Sequence, residues 1–319
     1  MVQTLPSLAD AYSLVAAGRV PEAVAMFEQL GAAGDGEALF TLGDALWRGL
    51  SMPQDVRRGR DLFKRSSDNG FDVGRRAYTN LLASGIAGER NWGQALRRLE
   101  EEAADDTLRA QMLELIRAMP VDADGNPSVL PLGESLSDRP HVMLYRAAFS
   151  RAECDYLQWI AQFDYQPTRV VVAPGQQSPA NIRTAEGSTI YWLIEDPAIH
   201  AMNRRLASLS GMDVDHGEPL QILRYHPGQE YRPHFDWLDQ GNRRVMTALV
   251  YLNDDYDGGE TAFTRIGLKV KGRTGDVLIF SSRGADGNLE LLSEHAGLPV
   301  TRGTKYLASR WIREGRAIP

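Results

Sequence analysis

Cysteine is almost absent from this chain, since Cys154 is the single cysteine in 319 residues. An intramolecular disulfide framework and a thiolate zinc cluster are therefore excluded. Long apolar runs are missing too, and no stretch approaches the ~20 apolar residues that span a bilayer. The first residues, MVQTLPSLADAYSLVAAGRVPEAV, lack the basic start and long apolar core of a secretory signal. We therefore expect a cytoplasmic protein without a membrane partner.

The chain also lacks an excess of positive charge. Lysine and arginine number 35 against 42 aspartate and glutamate residues, which gives a net charge of -7. Nonspecific binding to nucleic acid needs surplus cations to neutralise phosphates, so we expect no nucleic-acid partner. The hydrophobic share of 43% is that of an ordinary folded protein. The length predicts roughly two domains.

The N-terminal region repeats with a period of 36 residues. A small residue recurs at Ala23, Gly59 and Ala95, and an apolar residue recurs four positions later at Phe27, Phe63 and Leu99. A small residue lets two helices approach closely, and the apolar residue fills the groove between them. The pattern therefore predicts helix pairs.

One unit of this pattern, TLGDALWRGLSMPQDVRRGRDLFKRSSDNG, resembles the tetratricopeptide-like repeats of the SEL type. The resemblance covers about residues 7–105 and implies a small helical solenoid with a surface for protein partners. A helical bundle that only packs against the rest of the chain is the alternative interpretation.

A change of composition predicts the domain organisation. A further helix is expected within residues 103–119, and residues 120–139 are rich in proline, glycine, serine and aspartate, which is typical of a linker. We therefore predict an all-α domain over residues 1–119 and a second domain over residues 140–319. Its core is expected within residues 218–314.

Short strands dominate the second domain. Five runs have strand composition: PLQILRYH, VMTALVYLN, LKVK, DVLIFSS and KYLASRWIR. Tight turns such as DDYDGG separate them, which predicts a sandwich, a jelly roll or a barrel. A helix over residues 150–163, with Ser150 as its N-cap, precedes the strands. The predicted fold class of the whole chain is α+β.

The stretch RYHPGQEYRPHFDWL raises the question of a metal site. In an extended segment His234 and Asp236 point to one face, and His295 is a third candidate ligand downstream. Two histidines and one carboxylate suit non-haem Fe(II) oxygenases, whereas zinc hydrolysis is the competing chemistry. Lys305 favours iron, because a dicarboxylic cosubstrate needs its far carboxylate neutralised in a buried pocket. His226 is expected to have a structural or surface role.

Four blocks in a fixed order carry a family resemblance: LQILRYHPGQEYRPHFDW, ALVYLNDDYDGGETAF, LKVKGRTGDVLIF and HAGLPVTRGTKYLASRWIRE. They resemble the Fe(II)- and 2-oxoglutarate-dependent dioxygenases, specifically the prolyl 4-hydroxylase-like branch, over about residues 140–314. The resemblance implies a double-stranded β-helix, or jelly roll, with helices bracing one sheet.

The resemblance also implies a role for individual residues. It assigns the metal to His234, Asp236 and His295, the cosubstrate to Lys305, Tyr225, Tyr251 and Trp311, and a substrate contact to Arg183. The family usually shows Arg-Thr-Ser where this chain has Arg183, Thr184 and Ala185. That departure leaves the substrate more open than the chemistry.

The implied activity is hydroxylation of a C–H bond, first of all in a prolyl residue of a protein or peptide. Succinate and carbon dioxide are the coproducts, and the cofactors are Fe(II), 2-oxoglutarate and O2, with ascorbate as reductant. The helical repeats are expected to recruit the protein partner. Two alternatives stay open: an oxygenase acting on another residue or a small molecule, and a non-catalytic scaffold that senses iron, oxygen or 2-oxoglutarate.

Overall fold

A computed structural model of the chain describes residues 7–168, 182–238 and 241–317. The chain divides into two compact units, the first with Met1–Leu113 and Trp192–Pro197, the second with Glu114–Tyr191 and Ala198–Ile318. The division falls inside a helix, and the predicted domain bounds at residues 119 and 140 stay a prediction. No helix in the described ranges is both long and apolar enough to cross a bilayer.

Helices and strands occupy different parts of the chain. The described residues contain nine α-helices, α1 to α9: Leu8–Ala16, Val20–Ala32, Gly36–Arg48, Val56–Asp68, Asp72–Ser84, Trp92–Glu102, Thr107–Ala118, Arg151–Ala161 and Pro197–Ser210. They also contain fourteen strands, β1 to β14: Gly133–Ser137, Val142–Tyr145, Gln166–Pro167, Glu186–Ile190, Leu220–Tyr225, Tyr231–His234, Arg244–Tyr251, Asp257–Gly258, Thr261–Phe263, Leu268–Val270, Val277–Ser281, His295–Gly297, Val300–Arg302 and Lys305–Arg313.

The repeating positions of the N-terminal region lie at equivalent places on α2, α4 and α6. Phe27, Phe63 and Leu99 are all buried. A Cβ at Gly59 would lie 3.0 Å from the Gly43 carbonyl oxygen, so glycine is what allows α3 and α4 to approach so closely. The predicted helix pairs are therefore confirmed, whereas their assignment as SEL-type repeats stays a prediction.

The described residues of the second unit contain three sheets in addition to α8 and α9. The largest has eight strands in the order β1-β2-β11-β7-β14-β5-β4-β3, and the next has four in the order β10-β9-β12-β6. A two-stranded sheet joins β13 to β8. Apolar side chains from the eight-stranded sheet, such as Leu249 and Phe280, and from the four-stranded sheet, such as Phe263, share one buried cluster. Every strand pair in the described ranges is antiparallel, and these sheets together with the helices confirm the α+β class.

The five predicted strands correspond to β5, β7, β10, β11 and β14. Ser150 caps α8 as predicted. Its side chain accepts a hydrogen bond from the Glu153 backbone N–H, and the Glu153 side chain accepts one from the Ser150 backbone N–H. Residues 133–137, which lie within the predicted linker, form the edge strand β1 instead of an open connection. Its backbone pairs with β2, which the proline- and glycine-rich composition around it does not reveal.

Candidate metal centre and cosubstrate cavity

Strand pairing brings the three candidate metal ligands together. In the register of β6 and β12, His234 lies directly opposite His295, although 60 residues separate them along the chain. Asp236 follows β6 by two residues. One ligand atom from each of the three side chains lies within 4.8 Å of the others. The structure therefore collects the two imidazoles and the carboxylate that the sequence singles out.

Backbone carbonyls fix the orientation of both imidazoles. Nδ1 of His234 lies 2.8 Å from the Arg232 carbonyl oxygen, and Nδ1 of His295 lies 3.0 Å from that of Ser293. Because a carbonyl only accepts a hydrogen bond, Nδ1 carries the proton and Nε2 keeps a free lone pair. The two Nε2 atoms lie 3.6 and 3.5 Å from the carboxylate oxygens of Asp236.

The charge state of the cluster suits a divalent cation. Burial, together with the neighbouring His295, lowers the pKa of His234, so its ring is neutral at pH 7. Burial alone would raise the pKa of Asp236, but the imidazoles of His234 and His295 outweigh it and hold that pKa well below its usual range. A carboxylate beside two imidazoles in a buried site is the donor set of a 2-His-1-carboxylate iron centre.

A buried cation lies in the same cavity. Lys305 begins β14, opposite Tyr225 of β5, and only 3% of its surface is exposed. Its Nζ donates a 2.7 Å hydrogen bond to the Gly259 carbonyl, and no carboxylate in the described ranges forms an ion pair with it. Burial lowers the pKa of Lys305 to about 8. An anionic ligand would supply the counter-ion that the cation lacks.

Gly259 shapes the surroundings of this lysine. Its φ of 67° lies in the left-handed region that favours glycine. A Cβ there would come within 3.2 Å of the Lys305 side chain. The predicted turn at Gly258 and Gly259 therefore also gives the ammonium group its carbonyl partner.

The candidate metal ligands and Lys305 line one cavity. It is lined by His234, Asp236, His295, Lys305, Tyr225, Thr261, Arg183 and Trp311, together with apolar side chains such as Leu223, Leu249 and Leu307. The candidate metal ligands and the buried ammonium group thus face a shared space. Charge-assisted hydrogen bonds are stronger between buried groups than in water.

Two predicted tyrosines lie close to Lys305 but differ in their hydroxyl groups. The ring centroids of Tyr225 and Tyr251 lie 5.6 and 5.7 Å from its Nζ. The Tyr251 hydroxyl already donates to Thr261 Oγ1 at 3.0 Å. Tyr225 lines the cavity, and burial raises its pKa to about 12, so its hydroxyl stays protonated. Tyr225 is the better placed of the two to donate to a ligand.

An outer cleft of about 220 Å³ meets the cavity. The two share Arg183, Tyr231, Asp236 and Trp311 as lining residues. Arg183 is buried, lies 5.2 Å above the Tyr231 ring and donates from Nη1 to Gln221 at 3.1 Å. Its Nε and the Trp311 Nε1 are buried N–H groups without a hydrogen-bond partner within the described chain. Neither donor is therefore satisfied by the described residues.

His226 lies outside this group. Its Nδ1 is 3.3 Å from Thr304 Oγ1, and its Nε2 is 3.4 Å from Glu186. Nearly half of its side chain is exposed. These contacts agree with the structural or surface role expected from the sequence.

Two threonines at the site were missed by sequence reasoning. Thr261 lines the cavity from β9, and Thr247 of β7 donates a 2.8 Å hydrogen bond to Asp236 Oδ2. Threonine is common in strands, so its presence there carries little signal. The one available sign was alternation: in VMTALVY, Thr247 occupies the same face as Val245 and Leu249, where an apolar residue is expected.

Comparison with known proteins identifies the family of this chain. The family model described as the 2OG-Fe(II) oxygenase superfamily matches residues 220–313. Prolyl 4-hydroxylase 1 of Arabidopsis thaliana is 35% identical over 202 residues, which cover 57% of this chain and 71% of that protein. Probable prolyl 4-hydroxylase 3 of the same plant is 34% identical over 208 residues, covering 57% and 72%.

Among solved structures, the viral collagen prolyl hydroxylase of Paramecium Bursaria Chlorella virus-1 is 27% identical. The match covers 56% of this chain and 98% of the viral one, with a TM-score of 0.43. The resemblance inferred from the four sequence blocks is confirmed by the family model and the plant relatives. The chain belongs to the 2OG-Fe(II) oxygenase superfamily, with prolyl 4-hydroxylases among its relatives, and is a 2-oxoglutarate-dependent dioxygenase.

Proposed function

We propose that this protein hydroxylates a prolyl residue in a protein or peptide, with Fe(II) held by His234, Asp236 and His295. Lys305 binds the far carboxylate of 2-oxoglutarate. One observation carries the proposal: the buried 2-His-1-carboxylate cluster shares a cavity with a buried lysine that has no carboxylate partner in the described chain. The plant relatives named prolyl 4-hydroxylases support proline as the target.

Bound Fe(II), 2-oxoglutarate and O2 supply the oxidation that places a hydroxyl group on the substrate, with succinate and carbon dioxide as coproducts and ascorbate as the reductant. The protein's own part is binding, orientation and exclusion of water. Lys305 offers the far carboxylate a charge-assisted hydrogen bond, and the protonated Tyr225 hydroxyl offers a second donor. Tyr251 supports the lysine through its ring, since its hydroxyl is bonded to Thr261.

The outer cleft is the proposed substrate site. Arg183 and Trp311 line both the cleft and the inner cavity, and each has a buried N–H group without an acceptor among the described residues. A peptide offers carbonyl oxygens beside the target residue, which suits such donors. Tyr231 and Trp237 add aromatic surface to the cleft, and a proline-containing chain packs well on such surface. Trp311 therefore belongs to the boundary between cosubstrate and substrate.

The N-terminal helices are proposed to recruit the protein partner, as helical repeats commonly present a binding surface. A cytoplasmic location agrees with the single cysteine, which gives no disulfide framework. Both statements rest on the sequence.

Mass spectrometry of proline-containing peptides tests the proposal. Peptides from host lysate are incubated with Fe(II), 2-oxoglutarate and either wild-type protein or His295→Ala. We expect one added oxygen on proline that depends on wild-type protein. Oxygen added to another residue or to a small molecule would show that the target is not proline. If neither a hydroxylated product nor succinate forms, the result favours the non-catalytic scaffold.

A further inference from the structure

The carboxylate of Asp236 has a side-chain support that belongs to the other sheet. The candidate ligands His234 and His295 lie on β6 and β12 of the four-stranded sheet, whereas Thr247 lies on β7 of the eight-stranded sheet. Its Oγ1 donates a 2.8 Å hydrogen bond to Asp236 Oδ2. This bond therefore joins the loop after β6 to the opposite sheet.

The threonine is held rigidly. It lies opposite Phe280 of β11 and Trp311 of β14, so its strand is paired on both sides. The residue is completely buried. A β-branched side chain in a strand has restricted χ1 freedom, so the direction of its hydroxyl is set by the backbone. Such a donor can fix the position of the acceptor that it contacts.

Each of the three candidate ligands thus has an orienting hydrogen-bond partner among the described residues. The two histidines use backbone carbonyls, of Arg232 and Ser293, which no substitution removes. The carboxylate uses the Thr247 hydroxyl, which a substitution does remove. Partners that hold metal ligands from behind commonly change metal affinity by about 10- to 100-fold.

We propose that Thr247 is a positioning residue, which holds the Asp236 carboxylate through Oδ2 in the orientation that binds the metal ion. The inference rests on the proposed role of Asp236 as a metal ligand. Thr247 touches the carboxylate and acts through it. Its hydroxyl group increases metal affinity, and this effect is separate from the packing of its methyl group.

Two matched pairs of full-length proteins separate the hydroxyl from packing. Wild type against Thr247→Val compares side chains of the same shape, and Thr247→Ser against Thr247→Ala compares smaller ones. Within each pair the hydroxyl is the main difference. Calorimetric titration with Co(II), which accepts the same donors and resists air, gives the metal Kd without any need for turnover or substrate. Circular dichroism of the metal-free proteins verifies folding.

We expect Thr247→Val to bind Co(II) about 10- to 100-fold more weakly than wild type. Thr247→Ser should stay close to wild type, because it keeps the hydroxyl. A difference of less than about fivefold between wild type and Thr247→Val would overturn the inference, as would a Thr247→Ser variant as weak as Thr247→Ala. If Thr247→Val does not fold, the serine and alanine variants decide by the same fivefold limit.

A control separates this inference from the proposed function. Asp236→Ala should lose Co(II) binding at the site. If Asp236→Ala binds Co(II) as wild type does, the metal site and the proposed function fail together. If Asp236→Ala loses binding while Thr247→Val keeps it, only the role of Thr247 fails.

Discussion

Two buried cations, Arg109 in the helical unit and Lys305 in the second unit, are accommodated in different ways. In the helical unit, Arg109 Nε lies 3.0 Å from Glu102 Oε2, and both side chains are at most 5% exposed. Glu102 also accepts a 2.6 Å hydrogen bond from Thr79. In the second unit, Lys305 is as deeply buried, yet its hydrogen bond goes to the neutral carbonyl of Gly259.

This difference separates a structural ion pair from a ligand site. Two buried charges of opposite sign compensate each other's loss of hydration, so Arg109 and Glu102 neutralise each other within the fold. Lys305 forms no ion pair with the described residues, and burial lowers its pKa to about 8, a shift that the charge of Glu260 offsets only in part. Because Lys305 forms no ion pair with the described residues and lines the same cavity as the candidate metal ligands, we take this position as a site for an anionic ligand.

The largest expected effect comes from the metal ligands. Asp236→Ala should lower 2-oxoglutarate-dependent succinate formation by about three orders of magnitude or more, because it removes the only anionic donor of the candidate set. His226→Ala, which changes a histidine outside the cavity, is the matched control and should keep wild-type turnover. Comparable succinate yields from Asp236→Ala and wild type would contradict the assignment of Asp236 as a metal ligand.

The next effect compares Lys305 with Lys271, a lysine outside the cavity. Lys305→Met should raise the Kd for 2-oxoglutarate about 100-fold, which corresponds to ~3 kcal/mol for a buried charge-assisted contact. Lys271→Met is the control, since Lys271 also donates to a backbone carbonyl, that of Tyr256, but does not line the cavity. Calorimetry in the presence of Mn(II) gives both constants. Equal constants for the two variants would break the comparison.

The helical ion pair should affect stability and not ligand binding. Arg109→Met leaves the Glu102 carboxylate buried without its partner, so we expect the free energy of unfolding to fall by ~3 kcal/mol. Denaturant titration followed by circular dichroism measures this loss. The Kd for 2-oxoglutarate should stay within about twofold of wild type, measured at a temperature where the variant is folded. A large change in that Kd would mean that the ion pair is not purely structural.

A smaller effect is expected from pH. Binding of the far carboxylate needs the charged form of Lys305, and burial has lowered its pKa to about 8. Above that pH the lysine of the free protein is neutral, so the affinity for 2-oxoglutarate should fall about tenfold per pH unit. Below it the affinity should level off. If the Kd of Lys305→Met does not change slope near pH 8, Lys305 is confirmed as the titrating group. A wild-type Kd that stays constant from pH 7 to 9.5 would contradict the prediction.

The sequence predicts which residue types act at the site better than it predicts how the fold brings them together. His234, Asp236 and His295 stand out because few residue types bind metals, and the five main strands follow from short β-branched runs. The direct pairing of His234 with His295 depends on a long-range strand register that no local pattern specifies. Thr247 escaped notice because a threonine in a strand is common.

Other details of the fold depend on the same kind of long-range information. Strand β1 forms within the predicted linker because β2 offers it a partner edge. The difference between Tyr225 and Tyr251 is also invisible in the sequence, since it arises from the hydrogen bond between Tyr251 and Thr261. Residue type indicates what a side chain can do, and packing decides which of two similar side chains is free to do it.

The most direct test of the central claim is an anaerobic titration of the full chain with Fe(II) and then 2-oxoglutarate, followed by visible absorption. The account predicts an absorption band that needs both components, saturates at one Fe(II) per chain and is absent from Asp236→Ala. Lys305→Met should give the band only at much higher 2-oxoglutarate concentration. No band in the wild type, or the same band in Asp236→Ala, would contradict the assignment of this buried cluster as an iron and 2-oxoglutarate site.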